Sequence, residues 1–421
     1  MICVEDDHLP RVSVTVGLPV GRAHEPEVPR GLLQMSLQML KEGTSSRSSR
    51  QIAEQLDRLA ANFDSDLYME HAGITLSCLK EHLASALEIF ADLILRPSFP
   101  QEELDKLLTR WRSLLVAQRA DPGFLANERL FMGLFPEHPY SRISVPPEHL
   151  NLIQRSTIRD FYLRYSRVRG MIILFSGSIS IGRAEELVHR SFPHLNGNPA
   201  PGFELPAAGA GGVQVLLVDR PESAQAKILV GMQGLRRADP NYHLLQLANQ
   251  ILGGGGSARL FLKLREQKGY TYGAYSSLNG YTQAGVLVSG TSVRTETTVE
   301  AVTDIFEEMR GLRESPPSAA ELERCKAELI GSFLRRLETP ASIAALEATR
   351  RLTALPAEYY REFIPRIQSV TARQVQEAAA KYLRPEESLV VVVGDRRVLE
   401  SELARFGPVS VFDAAGQRLN D

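Results

Sequence analysis

The sequence is short of the groups that the commonest chemistries require. Three cysteines, Cys3, Cys78 and Cys325, are spread over 421 residues. Their odd number and wide spacing exclude a disulfide framework and a CxxC metal pair, and each reads as a small buried hydrophobe. No basic excess exists: 48 Lys and Arg face 50 Asp and Glu, for a net charge of -2. With no polybasic run either, nucleic acid and anionic membranes are not expected partners. No apolar run is long enough to span a bilayer. The N-terminus has no basic stretch leading into an apolar one, so any signal peptide is expected to be trimmed or never present, which leaves periplasm and cytoplasm both open. GxSxG elbows and GxxxxGK phosphate loops are missing. Among the nine histidines no two stand four apart; the nearest pair, His189 and His194, is five apart with no evident third ligand. A zinc hydrolase needs two histidines one helical turn apart, a third ligand and a carboxylate base. No metal site is therefore expected in this chain, and none of its residues is expected to carry zinc hydrolysis.

What is present is an ordinary globular composition, 43% hydrophobic and 23% charged, in a chain long enough for more than one domain. Val12, Val14, Val16 and Leu18 alternate with small or polar residues and predict a half-buried strand. A helix is expected from about Gly31 to Leu40 and a second after the capping residues Thr44-Ser45-Ser46. A strand follows through Ile74, Leu76 and Cys78. Further helices are expected over Glu81 to Leu95, stopped by Arg96-Pro97, and over Pro100 to Gln118. Met171 to Phe175 reads as a buried strand. Residues 197–212, rich in Pro, Gly and Ala, are the linker candidate.

After the linker the pattern repeats. Val213 to Val218 and Ile228 to Val230 read as strands, Leu244 to Leu252 as a helix, with strands flanking Tyr272 and Val286. Two or three helices fill Thr297 to Lys381, and Leu389 to Val393 is a closing strand. Leu32 to Leu40 pairs without gaps with Leu244 to Leu252, and Pro100 to Leu104 resembles Pro317 to Leu322. The expected fold is α+β, with two homologous halves, each a mostly antiparallel sheet packed with helices. The domains expected are 1–196 and 213–421.

Gly31 to Thr44, GLLQMSLQMLKEGT, resembles the zinc-site helix of the M16 (pitrilysin, inverzincin) family of metallopeptidases, which reads like GxxHFLEHMLFKGT. Gly31, Met39, Leu40 and Gly43-Thr44 match. Gln34 stands where the first histidine belongs, Leu37 where the glutamate base belongs, and Gln38 where the second histidine belongs. The family's third ligand is a glutamate ahead of an Asp-Pro. Asp121-Pro122 is here, but no glutamate lies between Leu104 and Asn127. Arg47 to Ala61, Leu95-Arg96-Pro97 and His138-Pro139-Tyr140 also match family landmarks; their expected roles are structural.

In the second half, Leu252 to Phe261 followed by Leu264 to Gly273 resembles the family's C-terminal motif. There an arginine and a tyrosine seven residues later bind substrate beside a zinc held by the other half or subunit. The count gives Arg265 near a helix end and Tyr272 on the next strand, with Tyr270 as the competing tyrosine. An arginine fork and a neutral phenol suit a substrate carbonyl and its oxyanion. Gly253, Gly254, Gly255 and Gly256 have two readings: a loop touching substrate, or a helix end that lets backbone pass closely. The resemblance implies a non-catalytic, substrate-binding subunit. Its partner would be a homologous HxxEH-bearing subunit, as a heterodimer or a dimer of heterodimers, that supplies the zinc; this chain would carry no cofactor. The substrate would be a peptide or small unfolded protein in a closed chamber. A structural protein, or a peptide binder without peptidase activity, is the alternative. General peptide turnover and maturation of a peptide precursor both stay open.

Overall fold

In the computed structural model, which describes residues 1–166, 168–192, 197, 199–200, 202 and 212–419, the alternating valines form a central strand. The strands β1 (Ile2–Glu5), β2 (Arg11–Leu18), β3 (Asn62–Leu67), β4 (Ala72–Leu79) and β5 (Ile172–Gly177) lie in the order β1-β5-β2-β4-β3. Val12, Val14 and Val16 are fully buried in the core that the helices close over, which is why apolar residues fall at every second position of β2. β1 runs parallel to β5; the other three pairings are antiparallel.

The second sheet contains β6 (Gln214–Asp219), β7 (Gln225–Gly234), β8 (Ala274–Gly280), β9 (Gly285–Arg294), β10 (Leu389–Gly394) and β11 (Val409–Phe412), in the order β11-β6-β10-β7-β9-β8. Without β11, this is the order of the first sheet repeated, with the parallel pairing again between first and last strands. The helices Leu32–Met39 and Tyr242–Gly253 occupy the same place in the two halves, between the second and third strands. From Leu33 to Leu40 and from Leu245 to Leu252 the same positions are buried, and only the glutamines, Gln34 and Gln38 or Gln246 and Gln250, are half-exposed. The fold is α+β with two related halves, as the short repeat implies.

The chain divides into two compact units, and neither is continuous in sequence. One comprises the described residues of 1–115, 144–203 and 334–355; the other comprises 116–143, the described residues of 204–333, and 356–419. A division at 197–212 leaves out this exchange. The helix Pro340–Leu352 belongs with the first sheet, where Ala344 and Ala348 pack on Leu174. The helix Pro122–Leu134 belongs with the second, where Leu130 lies over Gly231 and Leu389 over Gly133. Each sheet takes one covering helix from the other half of the sequence, which periodicity within a half does not reveal. The linker candidate lies largely outside the described residues, as does His194.

Other elements differ from expectation for local reasons. The helix after Gly43 begins at Ser49 and is capped by Ser48, whose backbone N–H donates to Gln51 at 2.9 Å. Thr44 and Ser46 are engaged elsewhere, by Asp92. The strand β3, Asn-Phe-Asp-Ser-Asp-Leu, is polar enough to escape a hydrophobic pattern; it is an edge strand with exposed Asn62, Asp64 and Asp66, and such charges guard an open edge. Five helices, not two or three, fall between Thr298 and Tyr382. β10 does not close the fold, because β11 follows it against β6.

Candidate functional site

The helix Leu32–Met39 is held at its N-terminus by an unanticipated residue. Gly31 adopts a left-handed backbone, φ 94°, and the buried carboxylate of Glu25 accepts the N–H groups of Gly31 and Leu33 at 2.8 Å and of Gln34 at 3.3 Å. A carboxylate there satisfies otherwise orphaned donors and complements the helix dipole. Burial pushes the Glu25 pKa up, and the three N–H groups pull against it.

Along this helix, Leu37, which the resemblance aligns with a general base, is only 2% exposed, so a buried carbon chain stands at that position. Gln38 accepts the indole N–H of Trp111 at 2.9 Å. Trp111 comes from the facing helix Gln101–Ala120, which also presents Leu107, Arg110 and Leu114 to a recess of about 430 Å³ bordered by Phe63, Asp64 and Ser65 of β3. The donor set does not fit zinc. Gln38 has a neutral amide oxygen already engaged by Trp111, Leu37 has no donor, and the opposing helix offers carbon and cation rather than carboxylate. Among the described residues, no three His, Cys, Asp or Glu side chains converge on a common point.

The Gly43-Thr44 end of the motif has a structural explanation. Gly43 packs so that a Cβ would lie 2.8 Å from Pro100 and Ser98. Thr44 and Ser46 donate to the fully buried Asp92 at 2.6 and 2.8 Å, and Arg47 and Arg96 reach the same carboxylate at 2.5 and 2.7 Å. Burial is the largest influence on Asp92 and raises its pKa, but the four donors together outweigh it and the net shift is downward. Asp92 was missed by motif reading. Its signal was the Asp92/Arg96 pair four apart on one helix.

The Arg265 and Tyr272 positions lie together. Residues Leu262–Gln267 form a π-helical turn after the short helix Arg259–Phe261, a widening found often where a helix serves a function. Gly269, at φ 61°, turns the chain back. The Arg265 guanidinium lies 4.8 Å from the ring centres of both Phe261 and Tyr272. Tyr272 is 88% exposed. It sits in the loop two residues before β8 rather than on the strand itself. Tyr270 turns inward and packs against the second core.

The glycine run ends the helix Tyr242–Gly253. A Cβ on Gly253 would stand 2.3 Å from the backbone nitrogen of Ser276 in β8, whereas one on Gly255 or Gly256 would meet nothing nearer than 3.8 Å. Gln250, topologically equivalent to Gln38, donates to Glu328 at 2.9 Å. His138, to which no chemistry was assigned, accepts the Tyr140 N–H at 3.2 Å within a turn.

These features define a class: an α+β fold of two related halves in which the helix that resembles a zinc-site helix carries no zinc donors. Residues 1–135 match the family described as insulinase (peptidase family M16), and residues 153–329 match the peptidase M16 inactive domain. The chain belongs to the M16 peptidase family. It is 24% identical over 383 residues to an uncharacterized zinc protease YmxG of Bacillus subtilis, covering 90% of this chain and 93% of that one. It is 21% identical over 400 residues to a non-peptidase homolog YmxG of Helicobacter pylori, covering 94% and 92%. A peptidase M16 inactive domain from Pseudomonas fluorescens superposes with a TM-score of 0.86 at 26% identity, over 93% of this chain and 95% of that one.

Proposed function

We propose that this chain is the non-catalytic, substrate-binding subunit of a two-subunit zinc metallopeptidase acting on peptides or small unfolded proteins. The observation that carries the reading is the Arg265–Tyr272 pair, stacked at 4.8 Å with the tyrosine 88% exposed. A large aromatic left in solvent beside an oriented guanidinium has no packing role to explain it. As a pair they offer a planar fork of donors and one neutral hydroxyl, suited to a substrate carbonyl and the charge that develops on it. Zinc and the general base come from a homologous HxxEH-bearing partner, and this chain supplies the grip.

The decisive experiment co-purifies this chain with such a homologue and assays a peptide that neither subunit cleaves alone. The mixture cleaves it, and Arg265→Ala with Tyr272→Phe abolishes that gain. An inactive mixture, or full turnover with both changes, refutes the reading. A second reading, a peptide binder without cleavage, is favoured by the uncharged edge strand β8, where an extended peptide can add as a further strand. It predicts peptide binding with no dependence on an HxxEH subunit.

A further inference from the structure

Beside the Arg265–Tyr272 pair the second sheet carries a cavity of about 790 Å³, within the range of ligand sites. Lys227 of β7 reaches into it, its ammonium 5.4 Å from the ring centre of Tyr275 on β8. The sheet is built to leave this amine accessible. Gly290 stands opposite Tyr275 in register, and a Cβ there would lie 2.7 Å from the phenol ring and 2.8 Å from Leu229. Only glycine lets the ring lie across β9. Ser292, a short side chain, stands opposite Lys227 itself.

No Asp or Glu lines the cavity, and among the described residues none stands within ion-pair distance of Lys227. The other cation at the rim, Arg294, is held by Glu296 at 2.9 Å. Burial lowers the Lys227 pKa, and Asp121 opposes that shift from a distance while its carboxylate accepts the Gly123 N–H. A half-buried ammonium against aromatic walls gains most from an incoming anion. One ammonium among aromatic rings suits a monoanion; phosphate sites favour guanidinium forks or backbone nests.

We infer that Lys227, with Tyr272 and Tyr275, forms a carboxylate-recognition subsite for bound peptide, accepting either a C-terminal carboxylate or an Asp or Glu side chain. The inference rests on the reading of this chain as a peptide-binding subunit and adds a preference to it. Arg265 addresses the peptide carbonyl, and Lys227 reads a neighbouring negative charge.

The test measures binding of one labelled, unstructured peptide to the full chain in three forms: free acid with an internal Glu, the same with an amidated C-terminus, and the same with that Glu replaced by Gln. Proteins are the wild type, Lys227→Met, Lys227→Arg and Arg265→Ala, each checked by circular dichroism. The wild type loses about tenfold in affinity when the recognised carboxylate is removed, and the form that loses it identifies the source. Lys227→Met shows the same loss with the acid form and no discrimination among forms; Lys227→Arg retains it. If Lys227→Met misfolds, Lys227→Arg with retained discrimination and the wild-type series carry the result. Wild-type binding indifferent to both carboxylates overturns the inference, as does unchanged discrimination in a folded Lys227→Met protein. Loss on Arg265→Ala with indifference to Lys227 overturns this inference alone. Dependence on Lys227 with none on Arg265 supports the subsite and counts against the carbonyl grip. No binding of any form to the wild type overturns both.

Discussion

The indole N–H of Trp111 donates to the side-chain oxygen of Gln38 at 2.9 Å, so the helix that resembles a zinc-site helix is tied to its neighbour by a neutral hydrogen bond. The substitutions Gln34→His, Leu37→Glu and Gln38→His therefore do not rebuild a tight site. They restore letters on one helix, while Leu107, Trp111 and Leu114 face it from the other. Leu37 is 2% exposed, and an unpaired carboxylate placed there costs about 3 kcal/mol or more. The triple variant is expected to hold no stoichiometric zinc after dialysis and to unfold at lower urea. Stoichiometric zinc with undiminished stability would show the donor argument to be wrong.

Arg265 and Tyr272 make the opposite prediction. Both sit at the surface, so Arg265→Ala and Tyr272→Phe change unfolding free energy by no more than about 0.5 kcal/mol. In a reconstituted pair with an HxxEH homologue, each lowers kcat/KM by about 100-fold, the scale of one lost oxyanion donor. Arg265→Lys is not a rescue, since an ammonium lacks the planar fork. Peptide turnover and urea denaturation on the same samples separate the two effects; a parallel loss of both would mean the pair is structural.

Much of this was legible in the sequence, and the limits have physical causes. β2 was readable because Val12, Val14 and Val16 meet one core on one face. The duplication was readable from a gapless register of nine residues because eight of those positions, Leu33 to Leu40 and Leu245 to Leu252, share one pattern of burial between the same strands. β3 was not, because an edge strand facing solvent needs no apolar alternation, and the helix exchange was not, because it is a property of topology. Glu25, Asp92 and Trp111 act through partners distant in sequence: Trp111 reaches Gln38 across 73 positions, and Thr44 reaches Asp92 across 48. Motif spacing does not encode such contacts.

Asp92 gathers Thr44, Ser46, Arg47 and Arg96 on one fully buried carboxylate. Asp92→Ala leaves two guanidinium groups and two hydroxyls without their acceptor, and costs about 3 to 5 kcal/mol. Asp92→Asn keeps the shape but loses the charge and falls between. Equilibrium unfolding measures both, with the expectation that a Thr44→Val change is non-additive with Asp92→Ala because the two share one network.

Acid weakens the first unit through two histidines. Burial holds His24 and His71 down to about 4 from an ordinary 6.5, and the Gly21 N–H donates to His24 Nδ1 at 3.0 Å. Between those values the unfolded chain takes up protons that the folded chain refuses. Stability from these groups is therefore complete above pH about 6.5 and declines as pH falls toward about 4. The expected result is a thermal midpoint that drops over that window in the wild type and drops less in a His24→Asn, His71→Gln variant. Equal slopes would assign the acid sensitivity to other groups.

The glycine run can be divided by its own geometry. Gly253 carries the close pass: a Cβ there meets the Ser276 backbone at 2.3 Å, so Gly253→Ala forces the helix away from β8 and costs about 1 to 3 kcal/mol. Gly255 and Gly256 have room, with nothing nearer than 3.8 Å. Gly255→Ala and Gly256→Ala thus leave stability within about 0.5 kcal/mol. If these two glycines touch substrate, peptide affinity falls in those variants while the urea midpoint stays put. If the run serves only to end the helix, both quantities remain at wild-type values in these two variants and the effect is confined to Gly253 and Gly254, where a Cβ would lie 2.2 Å from Gln250.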